Sequence, residues 1–327
     1  MNEIASQRSA SRAGALRRRT APPGAVRDSL PTGDGLRLRV VSWQPEATPG
    51  CGSVLVVPGR TEYVERHFET AADLLDRGLA VAVLEMRGHG LSPRPLANPM
   101  KHHASDFSAM IDDVARFFAY ASDSRMPRPH ILLAHSMGAH VAFRVLHERP
   151  RAVEAAVLTA PMFGLRLEGL PRMLVPRLAR LAVRLGLGTR YALGQSDWRG
   201  GQAREMLRDL LTSDRERFAD EDRILAEHPE LRLGGVTWGW LDAAFRSMAG
   251  IAAPGYAEVV TTPLLLVLAG ADRVVDNRAA EEVAARLPHG KCVVIEGARH
   301  DILHESDPYR DRFWAAFDEF RESLSRG

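Results

Sequence analysis

The chain contains six short apolar runs, and each run is followed by a turn and then by a stretch long enough for a helix. Within the runs, apolar and polar positions do not alternate, which is typical of parallel strands that are buried on both faces. Strands that alternate with helices predict an α/β fold, with a mostly parallel sheet and helices on both of its faces. The runs cover residues 54–57, 80–84, 131–134, 155–159, 264–268 and 292–295.

A different pattern precedes the first run. Leu30 is followed by the turn residues Gly33, Asp34 and Gly35, and then by an alternating run at 36–41. Glycine and aspartate between two strand-like segments favour a tight turn. The pattern therefore predicts a β-hairpin at the start of the folded part of the chain.

Residues 163–257 interrupt the alternation of strands and helices. The segment is rich in Leu, Arg and Trp, so we expect a helical cap inserted into a core formed by residues 29–162 and 258–327. Within 173–185, leucines form one helical stripe and arginines form another. The pattern favours a helix that packs by its leucine face, with a basic, apolar lid that contacts a lipid surface as the alternative. The leucines are Leu174, Leu178, Leu181 and Leu185, and the arginines are Arg177, Arg180 and Arg184.

The amino-acid composition and the distribution of charge favour a globular protein that does not bind nucleic acid. The 327 residues are 45% apolar and 26% charged, which is ordinary for a globular protein. No apolar run approaches the roughly 18 to 20 residues that a membrane-spanning helix needs. The net charge is +2, but residues 1–28 hold six arginines and only two acidic residues, which leaves the rest slightly acidic. This distribution argues against a nucleic-acid partner.

The N-terminal segment and the two cysteines bear on the location of the protein and on its redox state. Residues 1–28 lack the apolar stretch of a secretory signal, so we expect a disordered, Arg-rich N-terminal extension on a cytoplasmic protein. Cys51 and Cys292 lie far apart in the sequence. We expect two buried free thiols rather than a disulfide.

Ser136 lies where a strand-like run leads through a tight turn into a helix. The local sequence is Ala134-His135-Ser136-Met137-Gly138, and small residues on either side of a serine in this setting are typical of a nucleophile elbow. A serine hydroxyl is a weak nucleophile at neutral pH and needs a base that a carboxylate orients. We therefore predict that Ser136 is the nucleophile of a serine hydrolase.

The base and the acid should follow later strands, because elbow hydrolases have the chain order Ser, acid, His. His300 follows the last apolar run and Asp272 follows the run before it. His304 competes for the role of base, and Asp276 competes for the role of acid. We favour His300 and Asp272 because each lies directly beyond its strand.

The tetrahedral intermediate of acyl transfer needs backbone N–H groups aimed at its oxyanion. Met137 supplies one, and the loop after residues 54–57 should supply the other. Pro58 has no N–H, which leaves Gly59, Arg60 or Thr61, and we favour Arg60. The neighbouring polar residues that we expect to be structural are His89, Ser92, His135 and His140.

Five ordered motifs make residues 52–317 resemble the monoacylglycerol lipase and bacterial lysophospholipase branch of the α/β-hydrolases, also called the serine aminopeptidase-like group. The resemblance implies that Ser136, Asp272 and His300 form a triad and that the Arg60 and Met137 amides form the oxyanion hole. Two departures are Pro58, where the family usually has His, and Ala134, where it usually has Gly. The motifs lie at residues 58–63, 87–92, 135–138, 270–276 and 296–300.

We expect hydrolysis of a carboxylic ester with one acyl chain, such as a lysophospholipid or a monoacylglycerol, without a metal or other cofactor. Trp238 and Trp240 of the cap are expected to line the acyl-binding wall, and the cap could contact a membrane surface transiently. One alternative is a peptidase that holds the N-terminus of its substrate, and the other is a non-catalytic binding protein on the same fold. The acidic residues that a peptidase could use are Glu168, Asp197 and Glu216.

Overall fold

The computed structural model describes residues 14–46, 51–167 and 174–324. In these residues, eight strands form one sheet in the order β1-β2-β4-β3-β5-β6-β7-β8. β1 and β2 form the predicted hairpin, β2 is antiparallel to β4, and all other neighbours are parallel. The strands are β1 Val26–Pro31, β2 Arg37–Trp43, β3 Ser53–Val57, β4 Ala80–Leu84, β5 His130–His135, β6 Ala155–Thr159, β7 Leu264–Ala269 and β8 Gly290–Ile295.

Helices cover both faces of this sheet, which confirms the predicted fold class. Side chains of α2, α3 and α8 pack on one face, and side chains of α1 and α9 pack on the other. The α-helices are α1 Phe68–Asp76, α2 Ser108–Asp123, α3 Ser136–Glu148, α4 Leu174–Arg184, α5 Gln202–Leu211, α6 Arg215–Glu227, α7 Trp238–Ala252, α8 Asn277–Ala284 and α9 Asp307–Leu324.

The central strands are apolar throughout because both of their faces are covered. In β3, Leu55 and Val57 enter the layer beneath α2 and α3, whereas Val54 and Val56 enter the layer beneath α1 and α9. β3, β5, β6 and β7 are parallel neighbours, so their carboxyl ends lie along one edge of the sheet. The loops that follow these four strands are therefore brought together.

The segment between β6 and β7 holds α4 to α7, as the interruption of the strand series predicts. Its first helix packs differently from the expectation. Small side chains on α4, namely Val175, Ala179 and Ala182, are buried, and α4 lies against α7. The prediction that α4 packs by its leucines is therefore wrong. Leu174, Leu178, Leu181 and Leu185 are 44%, 38%, 52% and 67% exposed.

The expectation of disorder over residues 1–28 is wrong for the part that the structure describes. Residues 14–19 are helical, and β1 already begins at Val26. Arg17 pairs with Asp73 and Asp76 of α1 at 2.8 and 2.6 Å, and Arg18 pairs with Asp220 of α6 at 2.6 Å. These ion pairs hold the segment in place. Residues 1–13 lie outside the described residues.

The two cysteines are free thiols, but both are exposed rather than buried. Cys51 precedes the central strand β3, and Cys292 lies in β8 at the edge of the sheet. An edge strand is covered less completely than a central one, which accounts for the exposure of Cys292. In the parts of the chain that the structure describes, no helix combines the length and the apolarity needed to cross a membrane.

Candidate active site

Ser136 stands at the junction between β5 and α3. Its φ of 49° lies in the left-handed region, which is uncommon for a residue with a side chain and is found at functional turns. The turn packs closely on the end of β3. A Cβ on Gly138 would lie 2.2 Å from the carbonyl oxygen of Pro58 and 2.4 Å from that of Val57, so only glycine fits there. This is the strand-turn-helix geometry of a nucleophile elbow.

The structure brings Ser136, His300 and Asp272 together. Nε2 of His300 lies 3.0 Å from Oγ of Ser136, and Nδ1 of His300 lies 2.8 Å from Oδ2 of Asp272. The other carboxylate oxygen of Asp272 accepts hydrogen bonds from the backbone N–H groups of Val274 and Val275 at 2.7 and 2.9 Å. These bonds fix the carboxylate, which in turn fixes the imidazole against the serine.

Charge within this group stabilises a positively charged imidazole. Burial alone would lower the pKa of His300, but the carboxylates of Asp272, Asp301 and Glu62, with Asp272 foremost, together outweigh burial and raise it above the ordinary value of 6.5. Burial likewise opposes ionisation of Asp272, but His300 and the two backbone donors lower the pKa of that carboxyl. His300 is thus a stronger base than an isolated histidine, and Asp272 is ionised at neutral pH.

The rival residues occupy other positions. Nδ1 of His304 lies 2.9 Å from Asp301, and its Nε2 lies 2.7 Å from the carbonyl oxygen of Arg66, so both ring nitrogens are engaged away from Ser136. Asp276 stands at the N-cap position of α8. The two ring nitrogens of His300 are engaged by Asp272 and Ser136 instead.

The loop after β3 passes beside the elbow. The N–H of Gly59 donates to Oε2 of Glu62 at 2.7 Å, so it is not available to an oxyanion. Of the three residues left open by the sequence, this leaves Arg60 and Thr61. The N–H of Met137 belongs to the first turn of α3, where backbone donors have no partner within the helix. Met137 as one oxyanion donor, with the loop after β3 as the other, stays a prediction.

A buried polar cluster centred on Glu62 packs against the loop after β3. Nε2 of His67 lies 3.0 Å from Glu62 Oε2, and Nε2 of His135 lies 3.6 Å from Oε1. Burial opposes ionisation of Glu62, but His135 and His67 outweigh it and hold the pKa of the carboxyl below its ordinary value. The sequence pattern alone does not reveal this role of Glu62, although the residue lies in the motif at residues 58–63.

The same cluster contains the donor set most suited to a metal among the described residues. One ligand atom from each of Glu62, His135 and Asp301 lies within 4.8 Å of the others. However, Asp301 already pairs with Arg66 and His304, and Glu62 pairs with His67. Because these partners are cationic or can become so, they meet the charge of the carboxylates as a metal ion would.

A cavity of about 510 Å³ opens beside Arg60 and Thr61, between the core and the inserted helices. Trp198 lines it, whereas Trp238 and Trp240 are not among its lining residues. Trp240 is buried, with ring centroids 5.4 Å from His102 and 5.9 Å from Phe107. Its ring therefore packs the insertion onto the core. Trp238 is partly buried against the same apolar layer.

The remaining polar residues singled out in the sequence lie in structural contacts. Oγ of Ser92 donates to the carbonyl oxygen of Glu85 at 2.6 Å, and His140 lies 2.8 Å from the carbonyl oxygen of Met162. Glu216 lies 3.7 Å from Arg18. Asp197 accepts hydrogen bonds from Asn98 and Tyr191. Glu168 lies outside the described residues.

Comparison with known proteins agrees with this geometry. The family model described as Hydrolase_4, serine aminopeptidase, S33, matches residues 48–307. Lysophospholipase L2 of Escherichia coli (strain K12) is 34% identical over 266 residues, which cover 79% of this chain and 76% of that protein. The monoacylglycerol lipase of Mycolicibacterium smegmatis is 25% identical, over 84% of this chain and 89% of that protein.

Solved structures share the fold. A soluble variant of monoglyceride lipase from Saccharomyces cerevisiae superposes with a TM-score of 0.72 at 18% identity, over 94% of this chain and 96% of that chain. A carboxyl esterase from Bacillus coagulans superposes with a TM-score of 0.70, also at 18% identity, over 93% and 99% of the two chains. At this level of identity the likeness concerns architecture alone.

Proposed function

This chain belongs to the serine aminopeptidase S33 (Hydrolase_4) family of α/β-hydrolases, and on that premise we propose that Ser136 cleaves the ester of a lipid with a single acyl chain. The chain is a carboxylic ester hydrolase, as its relatives indicate. The names of those relatives, lysophospholipase and monoacylglycerol lipase, share a substrate with one acyl chain on a glycerol unit. That shared feature defines the proposed substrate class.

In the proposed reaction, Nε2 of His300 takes the proton of Ser136 while Oγ attacks the ester carbonyl carbon. The carbonyl oxygen gains negative charge and accepts hydrogen bonds from the N–H groups of Met137 and Arg60. The C–O bond to the glycerol unit then breaks, and His300 gives its proton to the departing alkoxide. Water, deprotonated by His300, attacks the acyl-enzyme and releases the fatty acid. Asp272 stays ionised throughout and stabilises the imidazolium.

The observation that carries the proposal is the unbroken chain of contacts from nucleophile to acid. Ser136 Oγ lies 3.0 Å from His300 Nε2, and His300 Nδ1 lies 2.8 Å from Asp272 Oδ2, with the serine held at a positive φ. A non-catalytic protein would have no need to hold a buried carboxylate, an imidazole and a strained serine in this order.

A fluorophosphonate probe and a panel of substrates test the proposal. The probe should label the wild-type enzyme and fail to label Ser136→Ala, whereas a Ser213→Ala control should be labelled normally. The panel should contain acyl esters, lysophospholipids, monoacylglycerols and aminoacyl amides. Labelling of Ser136→Ala at the wild-type rate, or a preference for aminoacyl amides, would contradict the proposal.

We also propose that α4 brings the enzyme to the surface of its lipid substrate. The exposed leucines of α4 form an apolar stripe, and Arg180 and Arg184 lie on the same helix. An apolar face bordered by arginines is the pattern of helices that lie in the interface of anionic membranes. Leu174, Leu178 and Leu181 of α4, and Leu185 directly after it, do not belong to the apolar clusters formed by the described residues.

A further inference from the structure

Arg60 carries a positive charge that no acidic side chain neutralises. Among the described residues no carboxylate forms an ion pair with it, and its one side-chain hydrogen bond goes from Nη1 to the carbonyl oxygen of Gly234 at 3.1 Å. Burial lowers the pKa of Arg60 to about 10, which leaves the guanidinium charged at neutral pH. Arg60 is half-buried, and charges that are partly removed from water are usually paired, so this arginine is suited to a charge that arrives from outside.

The surroundings of Arg60 do not supply the missing negative charge. The nearest titratable groups include His89 and His102, and burial first, then neighbouring charges that include Arg60, lowers the pKa of both rings. Both histidines are therefore neutral at pH 7. His89 Nε2 and both ring nitrogens of His102 have no hydrogen-bond partner. Arg60 thus lies among uncharged groups whose hydrogen-bonding capacity is not used.

Arg60 lines the 510 Å³ cavity, and arginines outnumber carboxylates among the lining residues. The lining arginines are Arg60, Arg199 and Arg204, and the lining carboxylates are Asp197 and Glu221. Glu221 pairs with Arg204 at 2.9 Å and with Arg66 at 3.1 Å. Asp197 keeps its negative charge, because its hydrogen-bond donors, Asn98 and Tyr191, are uncharged. The lining therefore has a net charge of one positive unit, with Arg60 where the cavity meets the loop after β3.

We infer that the guanidinium of Arg60 binds the phosphate of a lysophospholipid and so selects it over an uncharged monoacylglycerol. The inference rests on the proposed function, because it uses the backbone of the same residue as the oxyanion donor. The N–H of Arg60 is the proposed oxyanion donor, and its side chain lines the cavity. In this inference the ester lies at that N–H and the phosphate of the same lipid lies in the cavity. Guanidinium groups recognise phosphate through paired, charge-assisted hydrogen bonds.

The test compares two substrates with the same acyl chain, a lysophosphatidylcholine and a 1-monoacylglycerol, both kept below the concentration at which they aggregate. Its readout is the ratio of kcat/KM for the phospholipid to kcat/KM for the neutral lipid. A disturbance of the oxyanion hole lowers both values equally and cancels in this ratio. Arg60→Gln should reduce the ratio on the order of 10-fold or more, since it removes a charge-assisted contact. Arg60→Lys should retain part of the preference.

The matched control is Arg278→Gln, which removes one positive charge from an exposed pair with Glu282 and should change the ratio by less than about twofold. A second measurement needs no variant at Arg60. Glycerol 3-phosphate should inhibit the wild-type enzyme competitively, whereas glycerol should not. Equal inhibition by inorganic phosphate would assign the site to free phosphate rather than to the lipid headgroup, and would overturn the inference.

The outcomes separate the inference from the proposed function. If the wild-type enzyme hydrolyses both lipids and Arg60→Gln leaves the ratio unchanged, the phosphate site is refuted while the ester hydrolase stands. If the wild-type enzyme hydrolyses neither lipid, the proposed substrate class fails as well. A lower ratio together with inhibition by glycerol 3-phosphate supports the inference.

Discussion

The carboxylate of Glu62 holds the backbone of Gly59 through a hydrogen bond of 2.7 Å, one residue before the proposed oxyanion donor. Glu62 is in turn held by His67 at 3.0 Å. The position of the Arg60 N–H therefore depends on a buried carboxylate that does not itself touch the substrate. Glu62 is a positioning residue for the loop after β3.

Replacement of Glu62 by Gln should lower kcat with little change in KM. The amide retains an acceptor for Gly59 but loses the charge that pairs with His67, so the loop becomes less well placed for the transition state. Loss of a complete oxyanion donor costs about 10²- to 10³-fold in kcat, and we expect a smaller loss here. Steady-state kinetics should be compared with those of Glu65→Gln, which removes a carboxylate paired with Arg39 outside the site. A rise in KM alone would argue against the positioning role.

Asp272→Asn should reduce kcat on the order of 10⁴-fold, by analogy with other serine hydrolase triads. The amide cannot stabilise the imidazolium of His300 as the carboxylate does. Asp276→Asn is the matched control four residues later, and it should cost far less because the carboxylate that binds Nδ1 of His300 is that of Asp272. If the two variants ranked in the opposite order, the carboxylate of the triad would be Asp276.

The pH dependence of kcat/KM should report His300. Only the neutral imidazole can take the proton of Ser136, and nearby carboxylates, with Asp272 foremost, raise the pKa of His300 above 6.5 despite burial. The value of kcat/KM should therefore be high near about pH 8 and fall as the pH decreases. The midpoint of this acid limb should lie above pH 6.5. In Asp272→Asn, the residual activity should persist to lower pH, because the variant lacks the carboxylate that contributes most to raising the pKa of His300. An acid limb at the same pH in both proteins would show that another group controls it.

Trp240→Ala should destabilise the protein without changing the preference for acyl-chain length. Its ring is 3% exposed and packs between the insertion and the core, where removal of an aromatic side chain costs about 3 to 5 kcal/mol. Thermal unfolding should show a lower Tm.

Trp238 is the remaining candidate for the acyl-binding wall, because its ring is only partly buried. In the wild type, kcat/KM should rise from acetyl to octanoyl esters, since each buried methylene contributes about 0.8 kcal/mol. Trp238→Ala should flatten this rise if the ring contacts the chain. A wild-type enzyme that prefers acetyl esters would contradict an apolar wall of any composition.

The exposed leucines of α4 should govern binding to lipid vesicles. The double variant Leu181→Gln, Leu185→Gln should sediment less with vesicles of anionic phospholipid and should hydrolyse dispersed, short-chain esters as before. Leu91→Gln is a suitable control, because Leu91 is 54% exposed but lies after β4 rather than on α4. Unchanged sedimentation of the double variant would refute membrane contact through this helix.

The strands β3 to β8 could be predicted because each contains a local run of apolar residues. The runs at 80–84 and 155–159 coincide with β4 and β6. Ser136, Asp272 and His300 could be predicted for the same reason, since each directly follows a strand and parallel strands end at one edge of the sheet. The fold class and the candidate triad thus depend on information within short segments.

The packing of α4 and the role of Glu62 could not be predicted in this way. Helical spacing shows which leucines share a face, but whether anything covers that face depends on the distant helix α7. Gly59 and His67 lie within five residues of Glu62, but His135 comes from the end of β5 and meets Glu62 only in the folded chain. Local sequence patterns do not show contacts between residues that are distant in the chain.

Arg17 and Arg18 are consecutive residues, and they bind different parts of the molecule. Arg17 pairs with α1 of the core, whereas Arg18 pairs with α6 of the insertion. Consecutive Cα atoms are about 3.8 Å apart, so the two residues act as a short strap across the boundary. Any movement of the insertion away from the core would break the Arg18–Asp220 pair. A truncated protein that begins at β1 would lack the ion pairs of Arg17 and Arg18. Its kinetics would be those of an enzyme whose insertion is held less firmly against the core.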